Sequence, residues 1–416
     1  MNLELVTIGT ELLLGFTVDT NGAEIARGLA ALGVRVVRRT AVPDRVEDIR
    51  DAVSAALERS GAVLTTGGLG PTRDDITKKV VADLFGAPLD FDESVWADVL
   101  ARYARVGRSP VASNRSQAEV PRGAQALRNR WGTAPGIWIE GKPGLAIMLP
   151  GVPLEMRMLL EHEVVPRLAA RGGGSVIRSL VVRTTGIPES TLAERMGEIE
   201  RDIAPLTLAY LPGLEGVDLR LSGWELPPAE ADSRLRAAAD LLRQRAGEHV
   251  YGEGDTDLAA VVLELARARG LSLGVAESCT GGLVGGRLTE IPGSSDVFAG
   301  GIVSYGNELK SELLGVPADL IEAHGAVSEQ AACAMALGAV TALGVDVAVS
   351  VTGIAGPGGG TETKPVGTVW LGFAFRGQVE ARRVNFAGTR REVRARAAQA
   401  ALELMRRRLE VASAPR

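Results

Sequence analysis

Two glycine-rich segments bring hydroxyl groups next to backbone that can close on an anion: Ala276-Glu277-Ser278-Cys279-Thr280-Gly281-Gly282 and Thr352-Gly353-Ile354-Ala355-Gly356-Pro357-Gly358-Gly359-Gly360. Glycine lets N–H groups approach a ligand closely, and a hydroxyl at the loop edge can donate, accept or attack. Ser278 is the candidate nucleophile, and a serine needs a base. Of the three histidines, His162, His249 and His324, only His324 falls in the last third of the chain, so a Ser-His-Asp triad is poorly supplied. Lys310, which ends Ser304-Tyr305-Gly306-Asn307-Glu308-Leu309-Lys310, is the better base. A lysine desolvated beside a second cation can be neutral enough to accept the serine proton. Thr352 and the N–H groups after it would supply oxyanion or phosphate donors, and Arg390, in the first turn of the last helix, would clamp a phosphate. Cys279 reads as a small packing residue and Cys333 as part of a helix core. Either loop by itself reads equally well as structural or as a generic anion site. With Lys310 between them, they predict acyl transfer through a Ser-Lys dyad.

A second constellation lies near the start of the chain. Gly67-Gly68-Leu69-Gly70-Pro71-Thr72-Arg73-Asp74-Asp75 joins an anion-cradling turn, with Gly67, Gly68, Gly70 and Thr72 as the binding residues, to two adjacent carboxylates and Lys78. Hard cations prefer carboxylate oxygens and bridge phosphates, so Asp74 and Asp75 predict phosphate with magnesium or a similar divalent ion. Glu11, Asp19 and Asn21 follow the first strand and are expected in the same cleft, with Glu11 a further metal ligand. For Asp19 and Asn21, capping of the next helix is an equally strong reading.

Each of these segments needs a strand to present it. The apolar runs Leu271 to Val275 and Val345 to Val351 precede the two later loops, and Ala62 to Thr66 precedes the earlier one. All three therefore read as loops at the carboxyl ends of buried strands, where open α/β sheets bind ligands. Leu3 to Ile8, Val34 to Thr40 and Leu145 to Leu149 complete a first strand set, separated by helices from Asn21 to Leu32 and Asp44 to Arg59 that open like capping boxes. The pattern predicts a parallel sheet with helices on both faces. After a hinge expected at Arg171-Gly172-Gly173-Gly174, the order becomes β-α-β-β-α-β through Ser179 to Thr185, Glu189 to Glu200, Leu206 to Leu211, Val217 to Trp224, Ala229 to Ala246 and His249 to Tyr251. This is the split βαβ arrangement, and with no catalytic constellation in it, spacing or dimerisation is its expected role. From Asp255 the α/β alternation returns, and Thr389-Arg390-Arg391-Glu392 opens the closing helix as a capping box. The expected domains are residues 1–171, 175–252 and 255–412.

A chain of 416 residues exceeds what one core usually supports, and 46% hydrophobic content is ample for several. No apolar stretch reaches the roughly 18 residues of a membrane span, and no signal-like segment leads the chain, so a cytoplasmic protein without membrane contact is expected. Two cysteines exclude a disulfide framework. The net charge of −5 argues against a protein that grips nucleic-acid backbone directly. Only five of the 46 Lys and Arg residues are lysine, and Lys310 and Lys364 both lie beside glycine-rich loops, where function is the favoured reading.

The motifs Ala-Glu-Ser-Cys-Thr-Gly-Gly, Ser-Tyr-Gly-Asn-Glu-Leu-Lys, His-Gly-Ala-Val-Ser, Val-Thr-Gly-Ile-Ala-Gly-Pro-Gly-Gly-Gly and Lys-Pro-Val-Gly-Thr-Val-Trp together resemble the nicotinamide mononucleotide deamidase domain of the CinA (competence- and damage-inducible) family. The resemblance implies hydrolysis of nicotinamide mononucleotide to nicotinate mononucleotide and ammonia with no cofactor. Ser278 would be the nucleophile, Lys310 and Tyr305 its activators, Thr352 with Thr280, Gly281, Gly353 and Gly356 the ligand cradle, and Arg390 a phosphate contact. The Gly67–Asp75 loop, with Leu149-Pro150-Gly151-Val152-Pro153-Leu154-Glu155-Met156, is similar to the N-terminal domain of the same family. That likeness implies a molybdopterin-binding-like three-layer α/β/α fold, followed by the small α+β domain and the α/β deamidase domain. It also implies a metal-dependent pyrophosphatase acting on ADP-ribose, a homodimer, and a place in pyridine nucleotide salvage. The competing reading is an interaction protein of competence or recombination, with a recombinase as partner and no N-terminal turnover. A pterin-like binding module is a third.

Overall fold

The structure, a computed structural model, describes residues 1–171 and 176–411; the expected hinge glycines Gly172 to Gly174 lie outside the described residues. The chain divides into two compact units, residues 1–178 with 223–233 and residues 179–222 with 234–416. Among the described residues, seventeen strands form three main sheets and one small one.

The first sheet uses β1 (Asn2–Ile8), β2 (Arg35–Val42), β3 (Ala62–Thr66), β6 (Gln125–Leu127), β7 (Gly136–Gly141) and β8 (Gly144–Leu149), while β4 (Leu89–Phe91) and β5 (Glu119–Pro121) pair apart from it. Its order is β2-β1-β3-β8-β7-β6, parallel from β2 to β8 and antiparallel through β7 and β6. The expected all-parallel sheet thus gains a hairpin edge. β3 is buried throughout because both sheet faces are covered. One face packs Leu3, Leu5 and Leu64 against Ile25, Leu29 and Met156, and the other packs Val6, Ile8 and Val63 against Ile49, Val53 and Val81.

Two expected helix starts differ. The first helix runs Thr20–Ala30 and is capped by Asp19, whose Oδ1 accepts from Gly22 N at 2.8 Å, which leaves Asn21 inside the helix and free for another task. The next runs Val46–Ser60 without a side-chain cap, because Asp44 Oδ2 accepts from Thr10 N at 2.8 Å and from the Thr10 hydroxyl instead.

The middle sheet contains β9 (Val176–Thr184), β10 (Thr207–Pro212), β11 (Val217–Leu226) and β12 (Val250–Glu253) in the order β10-β11-β9-β12, with helices Glu189–Met196 and Pro228–Ala246. The first of these helices stops at Gly197, with φ 56°, short of the expected Glu200. Within the second unit the last helix binds the middle elements directly. Gln399 Nε2 donates to Thr185 Oγ1 at 3.1 Å, and Arg406 Nη2 donates to Glu248 O at 2.6 Å. These bonds, made by buried side chains, join two of the expected domains into one compact unit.

The last sheet contains β13 (Leu273–Glu277), β14 (Phe298–Val303), β15 (Val347–Gly353), β16 (Thr368–Phe375) and β17 (Gln378–Asn385), ordered β14-β13-β15-β16-β17. β14, β13 and β15 are parallel, so the loops that follow them leave the same end of the sheet. That end carries Ser278, Lys310 and Thr352. The closing helix Arg390–Val411 begins with the expected capping box: Thr389 N donates to Glu392 Oε2 at 2.7 Å and Glu392 N donates to Thr389 Oγ1 at 3.4 Å.

Candidate active site

Ser278 follows β13 at a sharp exit from the sheet. Its N–H donates to Val351 O at 2.8 Å, tying the loop to β15, and Gly281 and Gly282 turn the chain with φ of 59° and 97° into helix Leu283–Thr289. The buried Glu277 carboxylate accepts from the N–H groups of Gly282, Val284 and Gly285 at 2.9, 3.2 and 2.8 Å. The positive end of that helix is therefore occupied from within by the Glu277 carboxylate. Arg394 holds the loop from the other side, donating to Cys279 O at 3.0 Å and Thr280 O at 2.7 Å.

Lys310, on helix Asn307–Leu314, is only 1% exposed. Its Nζ donates to Ser278 Oγ at 3.2 Å, Ser304 O at 2.9 Å and Tyr305 O at 3.3 Å. Burial pushes the Lys310 ammonium below the usual lysine range. The neighbouring Cys279 thiol is buried too and is pushed up to about 11, so it stays protonated near neutral pH.

Tyr305 contributes differently from what the resemblance implied. Its backbone carbonyl holds Lys310, while its exposed phenol accepts from Arg390 Nη2 at 2.9 Å. Arg390 Nη1 donates to Gly356 O at 2.9 Å, so Arg390 joins the last helix, Tyr305 and the second glycine loop. Thr352 Oγ1 donates to Ala326 O at 2.7 Å; its hydroxyl proton is engaged, and its lone pairs remain. Gly353 serves packing, since a Cβ there would stand 2.8 Å from Val369 Cγ2 and 2.9 Å from Thr368 O. Gly356, with φ 82°, would meet Val366 Cγ1 at 2.6 Å. The Thr280 and Ser304 hydroxyls are buried beside the dyad with no partner. Lys364 ties the second glycine loop to the 324–326 segment, its Nζ donating to His324 O at 2.8 Å. Glu277, which lies in the first motif but was given no role there, and Arg394, which no motif includes, are positioning residues. An acid at the end of an otherwise apolar strand was the available signal for Glu277.

In the N-terminal unit, Gly67 and Gly68 have φ of 108° and 68°. A Cβ would stand 2.1 Å from Ile8 O at the first and 2.1 Å from Thr77 Oγ1 at the second. Both positions therefore require glycine. Gly67 N donates to Leu149 O at 3.1 Å, which brings the Pro150-Gly151 turn against the loop. Within the loop, Thr72 N donates to Asp75 Oδ2 at 2.8 Å and the Thr72 hydroxyl donates to the same oxygen. A Cβ on Gly70 would stand 2.5 Å from that atom. Thr72 and Asp75 thus shape the loop through each other, and Asp74 is exposed. Burial lowers Lys78 to about 8, and its Nζ donates to Ser116 O.

Glu11, Asp19 and Asn21 line a separate cleft of about 120 Å³ with Thr7, Thr66 and Gly151. Among the described residues no three His, Cys, Asp or Glu side chains are grouped to hold a metal ion. Asp75 faces Thr72, and Glu11 folds over Gly9, where a Cβ would stand 2.6 Å from its Oε1. The expected set of Glu11, Asp74 and Asp75 is not assembled, and a resident divalent ion does not fit it. Asp44, whose bond to Thr10 joins the loops after β2 and β1, also sits at this end of the sheet and carried no sequence signal beyond its place in a helix start.

Three family models match the chain: the CinA C-terminal domain over residues 255–409, the damage-inducible protein CinA KH domain over residues 179–252, and the model described as "Probable molybdopterin binding domain" over residues 4–170. A CinA-like protein of Gemmatimonas aurantiaca is 53% identical over 411 residues, covering 98% of this chain and 96% of its own. A CinA-like protein of Salinibacter ruber is 44% identical over 413 residues, covering 99% and 100%. A Symbiobacterium thermophilum relative, named for competence-damage induction, is 45% identical over 422 residues, covering 98% and 99%.

Proposed function

This chain belongs to the CinA family, and on that premise we propose that its C-terminal domain is an amidohydrolase that converts nicotinamide mononucleotide to nicotinate mononucleotide and ammonia. The observation that carries the reading is the environment of the Lys310 amine. A neutral amine has two N–H bonds and one lone pair. As an ammonium Lys310 donates to Ser278 Oγ, Ser304 O and Tyr305 O at 3.2, 2.9 and 3.3 Å; once the proton facing Ser278 is lost, the two carbonyls keep the two remaining N–H bonds and the lone pair is left to accept from the Ser278 hydroxyl. Burial supplies the second requirement, a lowered pKa.

Ser278 Oγ attacks the amide carbonyl carbon as its proton passes to Lys310 Nζ. The C–N bond then breaks, and the same proton leaves with nitrogen as ammonia. Water attacks the acyl-serine, Lys310 again takes the proton, and the nicotinate carboxyl is released as Ser278 recovers its hydrogen. The Cys279 and Thr280 N–H groups are the proposed oxyanion donors, since those of Gly281 and Gly282 donate to Ser278 O and the Glu277 carboxylate. Arg390 is the proposed phosphate contact, because Glu277 already fills the helix terminus nearest the serine. The test is ammonia release from nicotinamide mononucleotide in EDTA, run beside Ser278→Ala. Release that disappears in the variant is expected; no release by the unaltered protein would overturn the reading.

For the N-terminal domain we propose binding of a nucleotide pyrophosphate, with ADP-ribose cleaved to AMP and ribose 5-phosphate. The support is the Gly67–Gly70 turn, whose glycines are sterically required. AMP release from ADP-ribose on addition of magnesium tests this. Binding without release would leave the domain a binding module.

A further inference from the structure

We infer that Arg287 is a positioning residue of the Ser278 site, through which the middle elements brace the helix that follows the nucleophile. The inference rests on the amidohydrolase reading of Ser278 and Lys310, and it gives the β9 to β12 region a part in that site.

The helix needs a brace. Leu283–Thr289 has only seven residues, with Gly285 and Gly286 among them. Two turns of helix are marginal in water, and an interior glycine costs about 1 kcal/mol relative to alanine. The Glu277 carboxylate holds the first turn by accepting from Gly282, Val284 and Gly285 N–H groups. The rest is fixed by the buried Val284 and Leu288 side chains and by the bonds of Arg287. Because the Ser278–Gly282 loop runs straight into this helix, a shift of the helix carries the loop with it.

Arg287 ties that helix to rigid points. Its Nη1 donates to Gln399 Oε1 at 2.6 Å and its Nη2 to Asp257 Oδ1 at 2.7 Å, while Nη2 lies 3.8 Å from Glu215 Oε1. A guanidinium only donates, so Gln399 must turn its oxygen to Arg287 and its nitrogen to Thr185 Oγ1, 3.1 Å away. Thr185 Oγ1 donates in turn to Glu215 O at 2.8 Å, which closes a network between the last helix and the middle elements. The Glu215 turn is itself fixed. Arg183 Nη2 donates to Glu215 Oε2 at 3.0 Å, and a Cβ on Gly216, with φ 151°, would stand 1.9 Å from Thr184 O. Asp257 caps helix Leu258–Arg269, accepting from Ala259 N at 2.7 Å. Gln399 and Thr185 are each 3% exposed, so loss of one member leaves others buried and unpaired. Lys310 stands outside this network, on a different helix and held by the Ser304 and Tyr305 carbonyls.

The test uses the full-length protein with Arg287→Met, which keeps the apolar stem and removes the guanidinium, and with Thr185→Val, which breaks the network from the middle elements. Ammonia release from nicotinamide mononucleotide is measured beside iodoacetamide labelling of Cys279, the buried thiol of the loop, read by peptide mass against the half-buried Cys333. The expected result is a kcat lower by about tenfold or more in Arg287→Met, with a smaller fall in Thr185→Val, because small displacements of a catalytic group are costly. Cys279 should label faster in both variants, and the pH–rate limb should stay in place because the partners of Lys310 are untouched. Arg287→Lys, which cannot reach all of the partners at once, should fall between. Melting curves check that each variant is folded; if Arg287→Met is not, Thr185→Val and Arg287→Lys decide. Unchanged turnover, unchanged Cys279 labelling or a displaced pH limb in a folded variant would overturn the inference and leave the amidohydrolase reading standing. If the unaltered protein releases no ammonia, the amidohydrolase reading falls, and Cys279 labelling alone decides whether Arg287 holds the loop.

Discussion

Lys310 shows how far one residue can decide a reaction class. Its amine is buried, held by two carbonyls and aimed at a serine, and each of these favours the neutral form or directs its lone pair. Lys310→Arg keeps a cation of similar length that does not lose its proton, so ammonia release should fall by about 10³-fold or more while nicotinamide mononucleotide binding remains measurable. Stopped-time ammonia assays beside equilibrium binding check both halves. Near-normal turnover would remove lysine from the mechanism. The sign of the pH dependence follows from the same geometry. The base works when deprotonated, so kcat/KM should rise with pH through the lowered Lys310 pKa and level off below 10.5, the ordinary lysine value. A rate limb at that ordinary value would contradict the role of burial. Cys279, next to the nucleophile, has its thiol raised to about 11 and should react slowly with iodoacetamide at neutral pH. Cys279→Ala should retain ammonia release within a few-fold, in contrast to Ser278→Ala.

At the scale of elements, the loops work because strands of one direction deliver them to one edge, and glycines make the exits possible. Gly61 and Gly67 allow this to be measured in a single strand-flanking pair. Gly61 ends helix Val46–Ser60 with φ 71° and open space where a Cβ would be, whereas Gly67 has φ 108° and a Cβ there would stand 2.1 Å from Ile8 O. Gly61→Ala should cost about 1 kcal/mol from backbone strain alone, and Gly67→Ala at least ~3 kcal/mol because β1 and β3 must also separate. Denaturant unfolding of both variants checks the difference, and equal losses would mean that the close approach to Ile8 is not rigid. These glycine exits were legible in the sequence, since an apolar run followed by Gly-Gly marks a strand end whatever the partners are. A strand-end signal of the same kind marked Ser278, whereas Lys310 was read from its own segment and the scarcity of histidine, and Arg390 from the capping box of the last helix. What local pattern could not reveal was pairing at a distance. The β6–β7 hairpin edge depends on register with β8, Asp44 was drawn from its expected cap by Thr10, and Asn21 turned inward because Asp19 capped the helix. Thr352 looked like a free donor until Ala326, distant in sequence, took its proton. The carboxylates Glu11, Asp74 and Asp75 were expected together because each follows a strand end, but the fold turned Asp75 onto Thr72 and Glu11 into a different cleft.

At the scale of the molecule, each compact unit contains a whole candidate site and its own core. The Ser278–Lys310 pair is built from β13, β14 and β15 with the last helix, and the Gly67 loop from β1, β3 and β8. The side chains named for each site lie within a single unit. Energetic effects at sites with no shared partners usually add, so the two proposed activities should be separable in the intact chain. Ser278→Ala should abolish ammonia release from nicotinamide mononucleotide and leave nucleotide binding at the N-terminal site unchanged. Gly68→Val should do the reverse, since its side chain would be driven into Thr77 Oγ1, 2.1 Å from the Cβ position, and distort the anion-cradling turn. The double variant should lose both functions by the product of the single losses. Paired ammonia and ADP-ribose titration measurements on the three proteins decide it. A loss of ammonia release in Gly68→Val without a change in melting behaviour would show coupling between the units, and the protein would then have to be understood as one enzyme with an internal effector rather than as two adjacent ones.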